Sequence, residues 1–162
     1  MRAILIVTFS ITLMISCTEH NTHDQNDLQS NNTVFGSWEV GYYEDLEYDT
    51  ITTKDDVDSW GGMDVHIKFM DDSTFCGGNT TNDIAGHYTI ADSIVDIDVY
   101  GGTKVGQPVW GNMFSDVVHS HSFTYFTRSD TELKLYYNDN KNCIVLYPLD
   151  TEIKCTWSYS ND

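Results

Sequence analysis

The sequence predicts a mainly β fold of the α+β class, an antiparallel sheet or partly open barrel of about eight strands with one helix. Three observations predict it. Short runs in which apolar and polar residues alternate recur along the chain, as in residues 63–70 and 94–100. Turn residues such as Asp71-Asp72-Ser73 separate these runs closely enough to favour hairpins. One segment, residues 108–118, changes to the three- and four-residue spacing of a helix.

The first predicted strand precedes a long acidic segment. Trp38, Val40 and Tyr42 alternate with other residues, and we expect Trp38 to anchor the core. Residues 44–62 lose this alternation and are rich in Asp and Glu. We expect them to form a lid or binding loop, because long connections without regular structure in a small domain are usually functional.

The middle and the end of the chain predict the remaining elements. Residues 86–90 and 94–100 form a hairpin about a turn at residues 91–93. Pro108 suits the first turn of the predicted helix, whereas Gly111 in its second turn lowers helix stability. Later strands are predicted at residues 123–127, 133–137 and 144–146, and residues 151–159 are expected to add a last one.

The chain opens with a secretory leader. One basic residue, Arg2, precedes an apolar run over residues 3–15, and the small residue Ser16 stands before Cys17. The four residues ending at Cys17, MISC, resemble the lipobox of bacterial lipoproteins, in which the cysteine is diacylated and becomes the amino terminus. The apolar run is too short to span a bilayer comfortably. An ordinary signal cleaved nearby, with Cys17 incidental, is the alternative.

The leader divides the chain into three predicted parts. Residues 1–16 are a lipoprotein signal peptide, residues 17–33 a flexible polar tether, and residues 34–162 one folded β domain. Thr18 after Cys17 is similar to the pattern that sorts lipoproteins to the outer membrane in enteric bacteria. We therefore expect a monomeric outer-membrane lipoprotein that faces the periplasm or the cell surface and contacts the membrane through its N-terminal lipid.

The charge of the chain disfavours several classes of partner. The formal net charge is −17, and the few Lys and Arg residues are scattered singly. Such a surface repels phosphate, so nucleic-acid binding and attraction to anionic headgroups are both disfavoured. A solvated acidic surface explains the composition better than cation binding does.

Three cysteines lie outside the leader, at Cys76, Cys143 and Cys155. If the chain turns about Leu149, Cys143 and Cys155 lie opposite each other across a hairpin and are candidates for a disulfide. An oxidising envelope favours such a bond. Pairing of Cys76 with either of the others stays open, because three cysteines allow three pairings.

Motifs for metal binding and catalysis are weak. His119 and His121, with His66 or His87, allow a zinc site in principle, but a histidine at a helix end is favoured by the helix dipole alone. Residues 56–67 resemble a calcium loop at three positions and lack its bidentate Glu at the twelfth. No G-x-S-x-G motif or P-loop is present. We therefore expect no catalytic residues, no metal and no cofactor.

Aromatic residues give one candidate contact surface. Tyr42, Tyr43, Tyr48 and Trp60 lie in or beside the acidic segment. We expect them to form a surface for a ligand such as a sugar or peptide, or for a protein partner. Packing in the core and between strands is the alternative role for these rings.

Residues 35–148 resemble the META domain, the HslJ-like family of bacterial envelope proteins. The motifs that carry the resemblance are Gly36-Ser37-Trp38, Gly78-Asn79, residues 86–90, Met113-Phe114, Tyr125-Phe126 and residues 132–135. The family usually has Cys between Gly and Asn, whereas here Cys76 precedes Gly77-Gly78-Asn79. Gly36-Ser37-Trp38 together with residues 68–75 also resembles small lipocalin-like bacterial lipoproteins.

These resemblances imply a compact β domain without an established active site. We expect a non-enzymatic, lipid-anchored envelope protein with a META-like domain that supports the envelope or contacts other envelope proteins. The alternative is a lipocalin-like carrier of a small apolar ligand. A carrier needs an apolar cavity of several hundred cubic ångströms, and a packed core leaves none.

Overall fold

The structure is a computed structural model that describes residues 33–58, 64–103, 105–120, 123 and 125–155. The predicted leader, the lipidation candidate Cys17 and most of the predicted tether lie outside these residues, as do Trp60 and His121. Among the residues described, no helix has both the length and the apolar character needed to cross a membrane.

The described residues form nine strands and two helices. In chain order these are β1 (Gly36–Asp45), β2 (Thr50–Thr53), α1 (Lys54–Val57), β3 (Val65–Phe69), β4 (Thr74–Asn79), β5 (Asp83–Ala91), β6 (Ile94–Gly102), α2 (Val109–Ser120), β7 (Tyr125–Arg128), β8 (Leu133–Tyr137) and β9 (Asn142–Pro148). Their order in the sheet is β6-β5-β4-β3-β1-β9-β8-β7, and β2 pairs with the end of β1. Every pair is antiparallel. The predicted fold class is confirmed.

The sheet curves into a nearly closed barrel. The first and last strands of its order meet where Val95 of β6 pairs with Phe123, just before β7. Val95 N donates to Phe123 O at 3.1 Å, and Phe123 N donates to Val95 O at 2.8 Å. This pair brings the two edges together and leaves a short seam between them.

Alternating side chains of each strand separate the interior of the barrel from its outer face. In β3, Val65, Ile67 and Phe69 are buried, whereas His66 and Lys68 point outward and are partly exposed. The partners of the buried residues in β4 lie on the same inner face, as the pairing of Phe69 with Phe75 illustrates. The alternation in the sequence therefore identifies which residues of this strand lie in the core.

The predicted helix is present as α2. It begins at Val109, directly after Pro108, as the sequence predicts for a proline at a helix start. Trp110, Phe114 and Val118 are buried and join the main core. The helix packs against β3, β4 and β6, and it lies at the end of the barrel where β3 begins and β4 ends.

The turn between β8 and β9 follows the sequence prediction. Asn138, Asp139 and Asn140 have φ angles of 54°, 56° and 62°. This left-handed region is costly for most residues, and Asn and Asp occupy it more readily than others. The side chains at this turn therefore match the backbone that connects the two strands.

The prediction of one long acidic loop at residues 44–62 is wrong. Strand β1 continues to Asp45, and β2 and α1 follow before Asp58. Strand β2 shows little apolar alternation in its sequence. Thr50 and Ile51 are exposed, and the strand pairs only with the end of β1 among the described strands. Regular structure here comes from pairing with β1, which the local pattern does not reveal.

The expected hairpin about Leu149 is absent from the described residues. Leu149 N donates to Ser37 O at 2.9 Å, which directs the chain after β9 across the outer face of the barrel. The described end of the chain, residues 149–155, forms no strand. Ile153 instead packs on Cys76 and Ala85, on the outer side of β4 and β5.

The disulfide joins Cys76 to Cys155, with a Cα–Cα distance of 5.6 Å. The candidate pair Cys143–Cys155 is therefore wrong, and the open alternative with Cys76 is correct. Cys143 is a free, buried thiol in β9. The tail carries Cys155 away from β9 and over β4, so the two ends of the expected hairpin never meet.

Candidate functional site

The predicted aromatic surface is not one surface. Adjacent residues of a strand point to opposite faces, so β1 directs Tyr43 inward and Tyr42 outward. Tyr43 is 5% exposed and packs edge-on against Trp110, with 4.9 Å between ring centroids. Its hydroxyl has no hydrogen-bond partner among the described residues, and burial raises the pKa of this hydroxyl.

The other members of that predicted surface lie elsewhere. Tyr42 packs beside Tyr147 on the outer face, with 6.4 Å between ring centroids. Tyr48 is 73% exposed in the turn between β1 and β2. Trp60 lies outside the described residues. The prediction of one surface placed Tyr42 and Tyr43, which are adjacent in sequence, on the same side of the sheet. The two-residue period of a strand puts them on opposite sides.

Two acids of the calcium-like segment serve as helix caps. The Asp56 carboxylate accepts hydrogen bonds from Thr53 N and Thr53 Oγ1, both at 2.7 Å, and these bonds lower the pKa of Asp56. Asp58 is 8% exposed and accepts hydrogen bonds from the backbone N–H groups of Val109 at 3.1 Å and Trp110 at 3.2 Å. A carboxylate at a helix start satisfies donors that have no partner within the helix. Asp58 therefore fixes the start of α2.

The histidines considered for zinc do not form a cluster among the residues described. His119 lies in the last turn of α2, where its Nδ1 is 2.8 Å from Ser115 O. His66 lies on the outer face of β3, with its ring beside Gly78. Among the described residues, no three His, Cys, Asp or Glu side chains lie close enough together to hold a metal ion.

The buried thiol of Cys143 lies in an environment that disfavours its reactive form, the thiolate. Its residue is fully buried, and its Sγ donates to Glu44 Oε2 at 3.4 Å. Burial, followed by the hydrogen bond to Glu44, raises the pKa of Cys143 to about 12. A thiol with this pKa stays protonated near neutral pH, and the thiolate is the nucleophilic form.

A concave site lies beside α2. It is a cleft of about 740 Å³ between the end of β4, the start of β5, the end of β6, the loop that follows β6, and α2. Its lining consists of Asn79, Asn82, Ile84, Gly101, Gly102, Thr103, Val105, Gly106, Gln107, Asn112, Ser115 and His119. None of these described lining residues carries a formal charge with His neutral, so the cleft differs from the acidic chain around it.

Asn79 forms the buried wall of the cleft. It is the last residue of β4 and is 2% exposed. Its Nδ2 donates to Ser115 Oγ on α2, and Gln107 Nε2 donates to the same oxygen at 3.1 Å. Its Oδ1 has no hydrogen-bond partner among the residues described. The end of β4, the loop after β6 and α2 therefore meet at the Ser115 hydroxyl. The buried side-chain oxygen of Asn79 belongs to the same contact and has no donor among the described residues.

Asn82 holds the loop that forms the opposite wall. Its Oδ1 accepts hydrogen bonds from Val105 N at 2.7 Å and from Thr103 Oγ1 at 3.0 Å. Its Nδ2 donates to Val105 O and to Gln107 Oε1, both at 2.9 Å. One buried amide therefore satisfies both ends of the loop segment. Loops held by buried side chains keep a fixed shape, which a binding site needs.

No local pattern in the sequence is sufficient to indicate this cleft. Gly78-Asn79 enters only the resemblance to the META domain, and no motif of the sequence assigns a role to Gln107 or Ser115. Asn79 and Ser115 are 36 residues apart, so no local spacing joins them. The one local signal is the cluster of small and polar residues from Gly77 to Asp83 between two alternating strands.

Two solved structures resemble this fold. One is a DUF4847 family protein from Bacteroides vulgatus, with 18% identity, a TM-score of 0.52, and coverage of 72% of this chain and 94% of that chain. The other is a protein from Burkholderia xenovorans, with 15% identity, a TM-score of 0.55, and coverage of 72% and 83%. At these identities the likeness is one of fold alone.

Comparison of sequences adds no family. No protein-family model matches the chain, and no curated protein matches it significantly. The resemblances to META-domain and lipocalin-like proteins therefore stay predictions.

Proposed function

We propose that this chain is a non-enzymatic lipoprotein of the cell envelope, anchored at Cys17, whose META-like barrel domain contacts other envelope proteins. The leader and the lipobox-like residues before Cys17 support the anchor. The polar residues that follow give the tether its length. The proposal places the protein at the outer membrane, facing the periplasm or the cell surface, as a monomer without nucleic-acid partners.

The filled interior of the barrel is the observation that carries the proposal. Phe69, Phe75, Phe114 and Phe123 are each at most 2% exposed and belong to one continuous core with Trp38. A carrier of an apolar ligand needs an empty apolar cavity in the interior of its barrel to hold that ligand. The cleft of about 740 Å³ lies beside α2, outside this core, and amide and hydroxyl side chains share its lining with glycines and two aliphatic residues. This arrangement favours a domain that acts through its surface over a lipocalin-like carrier.

The state of the free thiol supports a role without catalysis. Cys143 is the free cysteine among the described residues, and it is buried with a pKa raised to about 12. A nucleophilic cysteine needs an accessible thiolate, which a lowered pKa provides. Cys143 has the opposite environment.

The anchor is tested with Cys17→Ser. We expect the natural chain to appear in the membrane fraction and to incorporate labelled palmitate, because acyl chains attach it to the bilayer. Cys17→Ser should appear in the soluble fraction without label. Cys143→Ser is a matched control that should leave both readouts unchanged. Membrane attachment of Cys17→Ser would show that the anchor is wrongly assigned.

Native mass spectrometry of protein purified from its source distinguishes the proposed function from the alternative, a lipocalin-like carrier. The proposal predicts the mass of the mature chain with its own acyl groups and no further apolar molecule. A stoichiometric bound lipid would overturn it. Capture of an envelope protein by the natural chain and by Cys17→Ser alike would support contact through the barrel domain.

A further inference from the structure

We propose that the cleft beside α2 is a binding site for a neutral mono- or disaccharide. The inference goes beyond the envelope role and does not depend on the lipid anchor. It rests on the size of the cleft, on a buried acceptor without a donor, and on the uncharged, hydrogen-bonding character of the lining.

The dimensions of the cleft suit a small ligand. Its volume of about 740 Å³ lies within the range of roughly 300–1,000 Å³ that is usual for small-molecule sites. Its walls come from β4, α2 and a loop that Asn82 fixes through four hydrogen bonds. The site is therefore largely formed before a ligand arrives, which lowers the entropy cost of binding.

The buried amide of Asn79 supplies the strongest sign of a ligand. Asn79 is 2% exposed, lines the cleft, and has a side-chain oxygen without a donor among the described residues. A buried acceptor without a partner costs about 1–3 kcal/mol. This oxygen is itself shielded from solvent, so a ligand hydroxyl would reach it after a small movement of the Asn79 side chain, and the new hydrogen bond would then remove this cost. The cleft is thus prepared for a ligand that brings hydrogen-bond donors.

Other acceptors of the wall suit the same ligand. The Nδ2 of Asn112 donates to Gln107 O at 3.2 Å, so its Oδ1 is the atom that remains to accept. The Nδ1 of His119 lies 2.8 Å from Ser115 O and therefore carries the proton, which leaves Nε2 as an acceptor in the neutral ring. Sugar hydroxyls can donate to acceptors and accept from donors at several points of one small molecule.

The described lining residues favour an uncharged ligand. No described lining residue offers a Lys or Arg for an anion, and the chain has a net charge of −17. No described lining residue offers a carboxylate for a cation. Ile84 and Val105 add apolar area that fits the C–H faces of a sugar ring. A neutral polyhydroxyl ligand satisfies all of these groups together.

The test is an NMR titration of the Cys17→Ser protein with maltose, cellobiose and N,N′-diacetylchitobiose. We expect at least one of these sugars to shift the amide signals of Asn79, Gln107 and Ser115 in a saturable way. Spermidine, inorganic phosphate and benzene represent cationic, anionic and apolar ligands and should leave these signals unchanged. Saturable binding of one of those three in place of a sugar would overturn the proposal.

A blocking variant keeps the test independent of folding. A Cβ at Gly106 would meet nothing within 4 Å, so Gly106→Trp places a ring in the cleft without a clash at its base. It should weaken sugar binding by about tenfold or more, which is about 1.4 kcal/mol. Ser115→Ala, which removes the hydroxyl that joins Asn79 and Gln107, should also weaken it.

The matched control is Thr131→Trp. Thr131 is exposed in the turn after β7, and Arg128 at the end of β7 donates to Phe35 O beside the start of β1. This turn lies at the opposite end of the barrel from Asn79, which pairs with Val65 at the start of β3. Thr131→Trp should bind sugar as the parent does. Equal binding by folded Gly106→Trp, or no saturable shift with any sugar, would overturn the proposal.

Discussion

Gly111 shows how one missing side chain positions the candidate site. A Cβ at this residue would overlap the backbone oxygen of Asn79 and Oγ1 of Thr80. The absence of a side chain lets α2 approach the end of β4, and this approach brings Ser115 to the Asn79 amide. The helix accepts a residue of poor helix propensity because close packing against β4 requires it.

Gly111→Ala should therefore destabilise the protein despite the gain in helix propensity. Alanine is better than glycine in a helix by about 1 kcal/mol, whereas the overlap with a backbone oxygen costs roughly 1–3 kcal/mol. We expect a net loss of up to about 2 kcal/mol in the free energy of unfolding, measured by urea titration.

Asp116→Ala is the control for this change. Asp116 is exposed on the same helix, so the substitution changes propensity without an overlap. It should alter the free energy of unfolding by less than about 0.5 kcal/mol or raise it slightly. If Gly111→Ala is more stable than the parent, the close approach of α2 to β4 is wrong.

Among the larger units of the fold, the tail after β9 acts as a strap on the outer face. Leu149 N bonds to Ser37 O on β1, Ile153 covers Cys76 and Ala85, and the disulfide fastens Cys155 to β4. The strap buries a second, small apolar cluster outside the barrel. Residues 149–155 form no strand, so the disulfide supplements one backbone hydrogen bond and the packing of Ile153 in holding the strap.

Cys155→Ser should release the strap and leave the barrel folded. Disulfides that close long loops typically stabilise by about 2–4 kcal/mol, and Cys76 and Cys155 are separated by 79 residues. We expect a loss of this size in the free energy of unfolding, with an unchanged far-ultraviolet circular dichroism spectrum. Lys154→Ser, at an exposed neighbour, should have little effect.

Peptide mapping without reduction provides an independent check. A digest should contain one cross-linked species with the Cys76 and Cys155 peptides, and Cys143 should alkylate as a free thiol after unfolding. A cross-link between Cys143 and Cys155 would contradict the path of the tail.

The barrel closes where its two edge strands meet, and few hydrogen bonds between described residues join them there. Among the described residues, the edge strands of the sheet order are joined by the pair of backbone bonds between Val95 and Phe123, whereas β3 and β9 each pair with a strand on both sides. Local opening is favoured where few hydrogen bonds and little buried area hold two segments together. The seam is therefore the expected place for the first opening of the barrel.

Amide hydrogen exchange tests this expectation. The amides of Val95 and Phe123 should exchange at least about tenfold faster than the slowest amides of β3 and β9. NMR measurement of exchange in the folded protein gives both values in one experiment. Equal protection of the seam and of these central strands would mean that the barrel opens only as a unit.

Local pattern in the sequence was sufficient for most of the strands and for α2. The alternation in Val65–Phe69 and the helical spacing that includes Phe114 reflect periods of two and 3.6 residues, which any single segment displays. The turn at Asn138-Asp139-Asn140 was predicted because these residue types tolerate a left-handed backbone. Such features depend on neighbours along the chain.

Tertiary structure decided the contacts between distant segments. Asp58 caps α2 from 51 residues away, Asn79 meets Ser115 across 36 residues, and Cys155 reaches Cys76 across 79. Each contact requires the register of the barrel and the packing angle of α2 before two side chains can meet. The periodicity of a segment predicts which of its faces is buried. It does not predict which other segment that face contacts, so the cleft and the disulfide are decided only by the folded structure.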